Sequence, residues 1–408
     1  MAESSVSPDP LRVLHERPEE CAYRTVTPSQ AVVLALGGGA IVIALVLRPT
    51  DTLVVLNAAA ICFYLLHILY KVRLVQSSLE RPACVPVSQE EIDGYPEDLL
   101  PTYTILVPLH REASVLGDVV RALSSLQYPA EKYEVLLLLE EDDAETRAAC
   151  DALELPPNFR PVIVPHSLPK TKPKACNYGL ELATGEYLVI FDAEDRPEPD
   201  QLLKAAAAFR KLPRRVVCLQ AKLNYYNPRQ NLLTRLFTAE YASWFDLFLP
   251  GLTARGGPIP LGGTSNHFKT AVLRRLGGWD PFNVTEDCDL GVRLHKHGYR
   301  TAMIESTTWE EANCRLRSWI RQRSRWVKGY MQTYLVHMRR PLLLLRQLGW
   351  DGFINFQMMI GGSIACFLLN PIYWLMTLLW LFFHPHIIQQ LFTPLWVYAA
   401  GTVCLFGG

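Results

Sequence analysis

Among the ten cysteines of this 408-residue chain there is no CxxC pair and no spacing with histidine that would suit zinc, which argues against a disulfide framework or a zinc site. Such cysteine usage fits a reducing compartment. Net charge is missing too: 40 Lys and Arg offset 40 Asp and Glu, so a nucleic-acid binder held by overall charge is set aside. Neither GxGxxG nor GxxxxGK[ST] occurs, which removes a Rossmann dinucleotide site and a P-loop. Between roughly 101 and 312 no window is apolar enough to cross a bilayer.

Outside that middle region the chain is different. Residues 31–47, AVVLALGGGAIVIALVL, and 52–70, TLVVLNAAAICFYLLHILY, each approach the ~20 apolar residues that span a bilayer. Only Arg48 to Asp51 separate them, so a transmembrane helical hairpin over 31–70 is expected. A signal peptide would start nearer Met1 and would not be followed by a second span. Arg17, Arg24, Lys71 and Arg73 flank the outer ends, and the positive-inside rule then puts residues 1–30 and the region after 71 in the cytoplasm of a multi-pass plasma-membrane protein. Residues 1–30 are polar and proline-bearing and carry no motif. A third apolar stretch, 353–383, contains Asn370-Pro371, which either kinks one span or divides a re-entrant pair. A fourth, 392–408, runs to the last residue, as a fragment of a longer membrane region would.

Within 101–312, β-rich runs alternate with helical spacing: YTILVPL (103–109), a helical SVLGDVVRALSSL, YEVLLLLEEDD, FRPVIVP, a helical KACNYGLELAT and EYLVIFDAEDRP. Units of ~30 residues of this kind build an α/β fold, a mostly parallel sheet with helices on both faces, whose ligands bind outside the carboxyl ends of the strands. Acidic clusters fall at such ends: Glu140 to Asp143, Asp192 to Asp195, and Glu286 with Asp287. The first reads equally well as a solvated loop. Carboxylates spaced as in DAED, directly after a buried strand, fit a hard cation, because Mg2+ or Mn2+ takes close carboxylates and completes its shell with phosphate and water. Without a glycine-rich phosphate loop, a diphosphate would be held by metal and basic side chains.

Taken in order, these motifs resemble those of the processive family 2 glycosyltransferases, the cellulose, hyaluronan and chitin synthase kind, over about residues 100–335 plus the membrane segments. LVPLHRE resembles the family's first strand and nucleotide loop, which implies donor contacts from Pro108, His110 and Glu112. Glu140 stands where the family usually has an aspartate beside the base. KPKACN resembles the lysine-bearing loop and implies Lys174 near the diphosphate. FDAEDRP resembles the DxD metal motif with Asp192 first; its second position holds Glu194, with Asp195 next to it, and register favours Glu194 over Asp195 as the ligand of Mg2+ or Mn2+. TED at 285–287 resembles the segment of the general base, Asp287, with Glu286 beside it. QRSRW at 322–326 resembles QxxRW, which implies acceptor contacts from Gln322 and Trp326 and a diphosphate contact from Arg325. Gly263 in PLGGTSNHF would let a backbone approach the acceptor closely.

The resemblance implies a GT-A-type fold and inverting transfer from a nucleotide-sugar, UDP-sugar ahead of GDP-sugar, to the non-reducing end of a growing β-linked polysaccharide at the cytoplasmic membrane face, coupled to export. A homo-oligomer or an accessory export subunit is compatible with it. Two alternatives stay open: a non-processive transferase acting on a polyprenyl or dolichyl phosphate or another lipid, and a catalytically dead nucleotide-binding scaffold.

Plainer readings stand beside these. Thr285 or Asp287 can cap the helix DLGVRLHKHG, and capping is compatible with a base because a helix N-terminus keeps a carboxylate ionised. Between Arg315 and Trp350, nine Arg or Lys residues and no acid interleave with aromatics. A single nucleic-acid strand would accept such a strip, but its place directly before a span favours helices lying on an anionic bilayer. The lipid bilayer, not nucleic acid, is therefore the expected partner. Residues 229–252 form another amphipathic candidate, and His295 and His297 read as exposed helix residues without a metal. The expected organisation is a cytoplasmic segment (1–30), a hairpin (31–70), a catalytic domain (71–312), interfacial helices (313–350) and a truncated membrane region (351–408).

Overall fold

The computed structural model describes residues 8–80, 84–383, 386–391, 399–401 and 403. The expected fourth span, 392–408, lies outside the described residues apart from 399–401 and 403. Strands β1 (Cys84–Val85), β2 (Tyr103–Leu109), β3 (Tyr133–Glu140), β4 (Phe159–Val164), β5 (Tyr187–Ile190), β6 (Arg196–Pro197), β7 (Val216–Tyr225), β8 (Asn266–Lys269) and β9 (Arg300–Glu310) form one nine-stranded sheet. Its order is β1-β9-β7-β8-β5-β2-β3-β4, with β6 pairing with β9. Parallel pairs join β2 to β3 and β5, β3 to β4, and β9 to β1 and β7. β8 runs antiparallel between β5 and β7. The sheet is the mostly parallel one that the alternating pattern implies.

β2 and β3 are apolar without alternation because helices cover both of their faces. Ile105, Val107, Leu109, Val135, Leu137 and Leu139 face one layer, which includes the helices Leu116–Ser124 and Gln201–Lys211. Leu106, Leu136 and Leu138 face the other, made by Lys172–Leu182, Glu286–Lys296 and the end of Pro49–Glu80, which delivers Leu74. Successive strand residues point to opposite faces, so one continuous run feeds two cores.

Among the described residues, three helices are long and apolar enough to cross a membrane: Pro28–Leu47, Pro49–Glu80 and Pro341–Phe383. The second extends beyond residue 70 and meets Leu249–Ala254 through Gly251, where an added Cβ would overlap the Leu74 carbonyl. In the third, Gly349 leaves helical conformation at φ 69° and separates the first turns from the rest. The helix Gly362–Phe383 runs through Pro371, so Asn370-Pro371 does not divide a re-entrant pair.

The N-terminal segment is not the featureless tail its composition indicates. Val13 and Cys21 are fully buried, the Ala22 N–H donates to Asp280 Oδ2 at 2.5 Å, and Asn177 Nδ2 donates to the Pro10 carbonyl at 2.9 Å. It straps the turn that precedes the Glu286–Lys296 helix.

The Gly251 contact can be tested against a glycine with room. Gly117, in the helix Leu116–Ser124, has nothing within 4 Å of an added Cβ. Gly251→Ala meets rigid backbone and is expected to cost about 1–3 kcal/mol, lowering the melting temperature, whereas Gly117→Ala gains only helix propensity and is expected to hold or raise it. Equal melting temperatures for the two variants would contradict this fit.

Candidate active site

β2, β3 and β5 end on one edge of the sheet, and the acidic loops begin there. After β5 the chain passes Asp192, half-buried, Glu194, exposed, and Asp195, buried. Asp195 Oδ2 accepts the Asp192 N–H at 2.6 Å and the Thr264 hydroxyl. Asp195 thus anchors the loop through one oxygen, while the other, Oδ1, is buried without a hydrogen-bond partner among the described residues. Burial, and then Asp192, holds its carboxyl well above the ordinary range.

Glu112 is pushed up to about 7 by burial and then by Asp192; Glu194, exposed at the rim but hemmed in by the loop, is raised in the same sense by partial loss of water and then by Asp192. Glu112 Oε2 is buried without a hydrogen-bond partner among the described residues. Carboxyls raised together in this way mark a place short of positive charge. Asp192 and Glu194 could give oxygens to a hard cation, and among the described residues no three His, Cys, Asp or Glu side chains close around one point. Further ligands would come from a phosphate-bearing substrate and water, the mode in which Mg2+ is usually bound.

Lys172 opens the helix Lys172–Leu182. Its Nζ lies 2.5 Å from Asp192 Oδ1 and donates to the Gly263 carbonyl at 2.7 Å. A Cβ built on Gly263 would lie 3.5 Å from Asp287 Oδ2 and 4.0 Å from Lys172 Nζ. Asp192 and Asp287, distant in sequence, therefore border one cleft: Asp192 pairs with the ammonium, and Asp287 faces it across Gly263. Lys174, expected near the diphosphate, is fully buried, with Nζ 3.0 Å from Glu140 Oε2 and 3.3 Å from the Pro165 carbonyl. Two residues along a helix is roughly 200° of rotation, so when Lys172 faces the cleft Lys174 faces the core. Glu140 neutralises Lys174 there and is withdrawn from the cleft.

At the end of β2, Pro108 still pairs with Leu138, and His110 Nδ1 lies 3.7 Å from Asp143 Oδ2. The same oxygen accepts the Arg111 N–H at 2.5 Å, with Arg111 held at φ 60°, an uncommon conformation outside glycine. The Glu112 N–H donates to the Thr146 hydroxyl at 3.1 Å. Asp143 shapes this loop and also caps the helix Ala144–Asp151. The sequence carries a signal for it, an aspartate directly before a helical run.

The helix Glu286–Lys296 starts at TED. No side-chain capping bond is made at Thr285, and Asp287 Oδ1 accepts only the adjacent Cys288 N–H, at 2.7 Å. Burial raises Asp287 to about 6, and it raises Glu286 further, with Asp287 the next cause. Neighbouring carboxyls pushed apart in this way leave one ionised and one protonated near neutral pH.

Two glycines set the helix in place. A Cβ on Gly291 would overlap the Ile259 carbonyl, and one on Gly329, in the helix Leu316–His337, would lie 2.7 Å from the Thr285 nitrogen. Beyond Gly329, Thr333 accepts Asn283 Nδ2 at 2.9 Å, and His337 Nε2 lies 3.0 Å from Asp289 Oδ1. Residues 326, 329, 333 and 337 share one helical face, so Trp326 lies on the side turned towards the base segment. Its ring centroid is 6.0 Å from Phe237 and 6.2 Å from Tyr241. The Arg323 guanidinium sits 4.7 Å over the Trp326 ring and pairs with Glu240. Arg323 is thus the arginine inside the aromatic cluster, while Arg325 is exposed and Gln322 accepts from Asn313 at 2.9 Å. Phe237 and Tyr241 come from the amphipathic stretch 229–252. His295, expected on the surface, is buried, whereas His297 is exposed as expected, with Nε2 3.3 Å from Glu20 Oε2.

Residues 101–329 match the family model described as Glycosyltransferase like family 2. More than half of the chain is matched, and it belongs to glycosyltransferase family 2. It is 29% identical over 274 residues to the Beta-monoglucosyldiacylglycerol synthase of Trichormus variabilis, covering 64% of this chain and 56% of that protein. It is 24% identical over 251 residues to the probable glycosyltransferase YdaM of Bacillus subtilis, covering 61% and 60%. The alignments thus span no more than six-tenths of these relatives' length. Among solved structures, the mannosyltransferase PcManGT from Pyrobaculum calidifontis, in complex with GDP-Man and Mn2+, aligns over 88% of this chain and 99% of its own, with a TM-score of 0.52 at 19% identity. That likeness is one of fold, and the fold is GT-A-like.

The two lysines separate by experiment. Lys172→Ala is expected to lower kcat/KM for a nucleotide-sugar by about a hundredfold and, by leaving the cleft carboxyls without their cation, to lower the melting temperature as well, but by less than Lys174→Ala because Lys172 is partly exposed. Lys174→Ala strands Glu140 in the core and is expected to cost about 3–5 kcal/mol of stability. Activity assays and melting curves on both variants check this; the reverse pattern would return Lys174 to the diphosphate.

Proposed function

We propose that this chain is an inverting, metal-assisted hexosyltransferase that moves a sugar from a nucleotide-sugar to the non-reducing end of a β-linked glycan at the cytoplasmic face of a membrane. The observation that carries the reading is the meeting of Asp192, Lys172 and Asp287 beside a Trp326-bearing helix that leads into a candidate span. In this reading the catalytic domain of about 71–312 lies between a hairpin at 31–70 and interfacial helices at 313–350. UDP-sugars stand ahead of GDP-sugars on their prevalence in the family resembled, and the GDP-Man and Mn2+ of PcManGT are reason to test both.

Asp287 takes the proton of the acceptor hydroxyl while that oxygen bonds to the anomeric carbon. The bond from that carbon to the diphosphate breaks on the opposite face, which inverts the configuration. Glu286, kept protonated, leaves Asp287 as the charged member of the pair. Lys172 faces the negative charge that develops on the departing diphosphate. A bound Mg2+ or Mn2+, held by Asp192 and Glu194, would supply Lewis-acid stabilisation of the same group. Trp326 and Tyr241 offer ring faces to the C–H side of an acceptor sugar, and Gly263 leaves room beside Asp287.

A second reading, transfer of one sugar to a membrane lipid, is favoured by the 29% identity to the Beta-monoglucosyldiacylglycerol synthase. Product length decides between them. Membranes carrying the protein are incubated with labelled UDP- and GDP-sugars and Mn2+, and released nucleotide, glycolipid and polymer are measured. A ladder of chains is expected; a single glycolipid would move the assignment to the second reading, and no release of nucleotide from any donor would end both. Asp287→Asn is expected to abolish transfer while preserving donor affinity.

The pH profile tests the base directly. Asp287 acts when ionised, and its raised value puts the acid limb of kcat/KM near pH 6, with activity present above that and lost as pH falls through it. An acid limb at the ordinary aspartate value, about 4, would deny Asp287 this role.

A further inference from the structure

Away from the carboxylate cleft, a cavity of about 820 Å³ opens where the N-terminal strap, the end of the Glu286–Lys296 helix and the start of the Pro341–Phe356 helix come together. Its walls combine the cations Arg17, Lys296, Arg339 and Arg340 with the apolar Val336, Leu343 and Leu344. Three acids line it too: Glu16 and Glu20 are paired, Glu20 offsetting Lys296 and lying 3.7 Å from Arg17, and the Glu19 carboxylate is exposed, so Arg339 and Arg340 are the wall's surplus cations. Glu20 is paired with Lys296 at 2.6 Å, and Glu16 with Arg12 at 2.7 Å. Glu19 meets Arg339 through its backbone carbonyl, and the Arg339 guanidinium is spent on the carbonyls of Pro18, Glu19, Cys21 and Arg24, which carry no net charge to balance it. Arg340 is exposed.

Two helix N-termini also open here. Thr27 and Ser29 bring in the first turn of Pro28–Leu47, and Arg340 is the N-cap residue of Pro341–Phe356. Neither helix has an acidic residue in its first turn, so the positive ends of both are left unneutralised beside the cationic side chains. Both helices begin candidate membrane spans. The cavity therefore lies where chain leaves the catalytic domain for the bilayer, has the size of a small-molecule site, and is cationic at one wall and apolar at another.

We propose that it holds the phosphate headgroup of an anionic membrane phospholipid, whose acyl chains leave past Leu343 and Leu344 along the spans. The proposal rests on the membrane reading given above. Inorganic phosphate offers the same oxygens, but the apolar wall favours a lipid. Lys296 ends the helix that carries Asp287, and Val336 and His337 end the helix that carries Trp326. A seated headgroup thus ties the acceptor wall to the base segment from behind, and sugar transfer rises with it.

The test uses the full chain purified in mild detergent and moved into nanodiscs of phosphatidylcholine with or without phosphatidylglycerol. Retained lipid is counted by native mass spectrometry, and melting temperature and sugar transfer are measured. Phosphatidylglycerol is expected to be retained through delipidation and to raise both the melting temperature and the transfer rate. Arg340→Glu is expected to lower retention about tenfold or more, and Arg340→Lys to keep it. Arg346→Glu, on the same helix, exposed and outside the cavity, is expected to behave as the unaltered chain does. Equal retention by Arg340→Glu and the unaltered chain, or equal loss in Arg346→Glu, would overturn the site. Protection by millimolar inorganic phosphate as large as that by phosphatidylglycerol would overturn the lipid assignment. A chain that stays in solution without detergent or bilayer would remove the membrane reading instead.

Discussion

The pairing of Lys172 with Asp192 is the contact around which the cleft is organised. Burial works against the charge of Lys172, yet Asp192 and Glu286 more than offset it and hold the ammonium above its ordinary range. The same ammonium pulls down Glu112, Glu194, Glu286 and Asp287, all of which burial pushes up. Without a cation at this point, carboxyls drawn from three separate stretches of chain would repel one another in a place where water screens them poorly. Lys172 also donates to the Gly263 carbonyl, so one side chain joins the loop after β5 to the loop before β8. On the function proposed above, the diphosphate of a donor would offer Lys172 a second anion beside Asp192.

Glycine joins this electrostatic focus to the neighbouring helices, one of them a candidate span. Gly251 lets the domain touch the backbone of Pro49–Glu80, Gly291 lets the base helix touch Ile259, and Gly329 lets the Leu316–His337 helix touch Thr285. At each, a Cβ would collide with main chain, which cannot swing aside as a side chain can. The helix that starts at Glu286, the helix that carries Trp326 and a candidate span are thus separated by single close contacts to main chain. A displacement of any one is passed on with little loss, because close-packed interiors transmit strain.

What could be read from the sequence follows from which forces act locally. β2 is found at the residues its apolar run marks, and the acidic loops lie where strand ends put them. Burial on both faces makes such strands uninterrupted, and that pattern survives without knowledge of the neighbours. The convergence of Asp192 with Asp287 was legible only through motif order. The different surroundings of Lys172 and Lys174, and of Arg323 and Arg325, follow from helical phase, since residues two apart along a helix face nearly opposite ways. Gly291 and Gly329 gave no signal, because their importance lies in atoms far along the chain. The N-terminal strap was illegible for the same reason: its hydrogen bonds go to Asp280 and Asn177, and nothing in its own polar composition announces them.

The helix that carries Asp287 is fixed from behind by polar contacts, and this follows from what it must hold still. Asp289 and Arg293 are fully buried; Asp289 takes Arg293 Nε at 2.7 Å on one oxygen and lies 3.0 Å from His337 Nε2 on the other. Arg293 spends its remaining groups on the Leu276 carbonyl at 3.1 Å and the Gly278 carbonyl at 2.7 Å. Burial alone would lift the Asp289 carboxyl, but Arg293 and His337 more than offset it and hold it below the ordinary range. An apolar contact of the same area would tolerate sliding by a turn, since one leucine resembles the next. Directional bonds between charged groups do not, because slipping would leave a buried carboxylate alone at a cost of several kcal/mol. The network therefore fixes the phase of Glu286–Lys296 against Leu316–His337, and with it the position of Trp326 relative to Asp287, the relation on which the function proposed above depends.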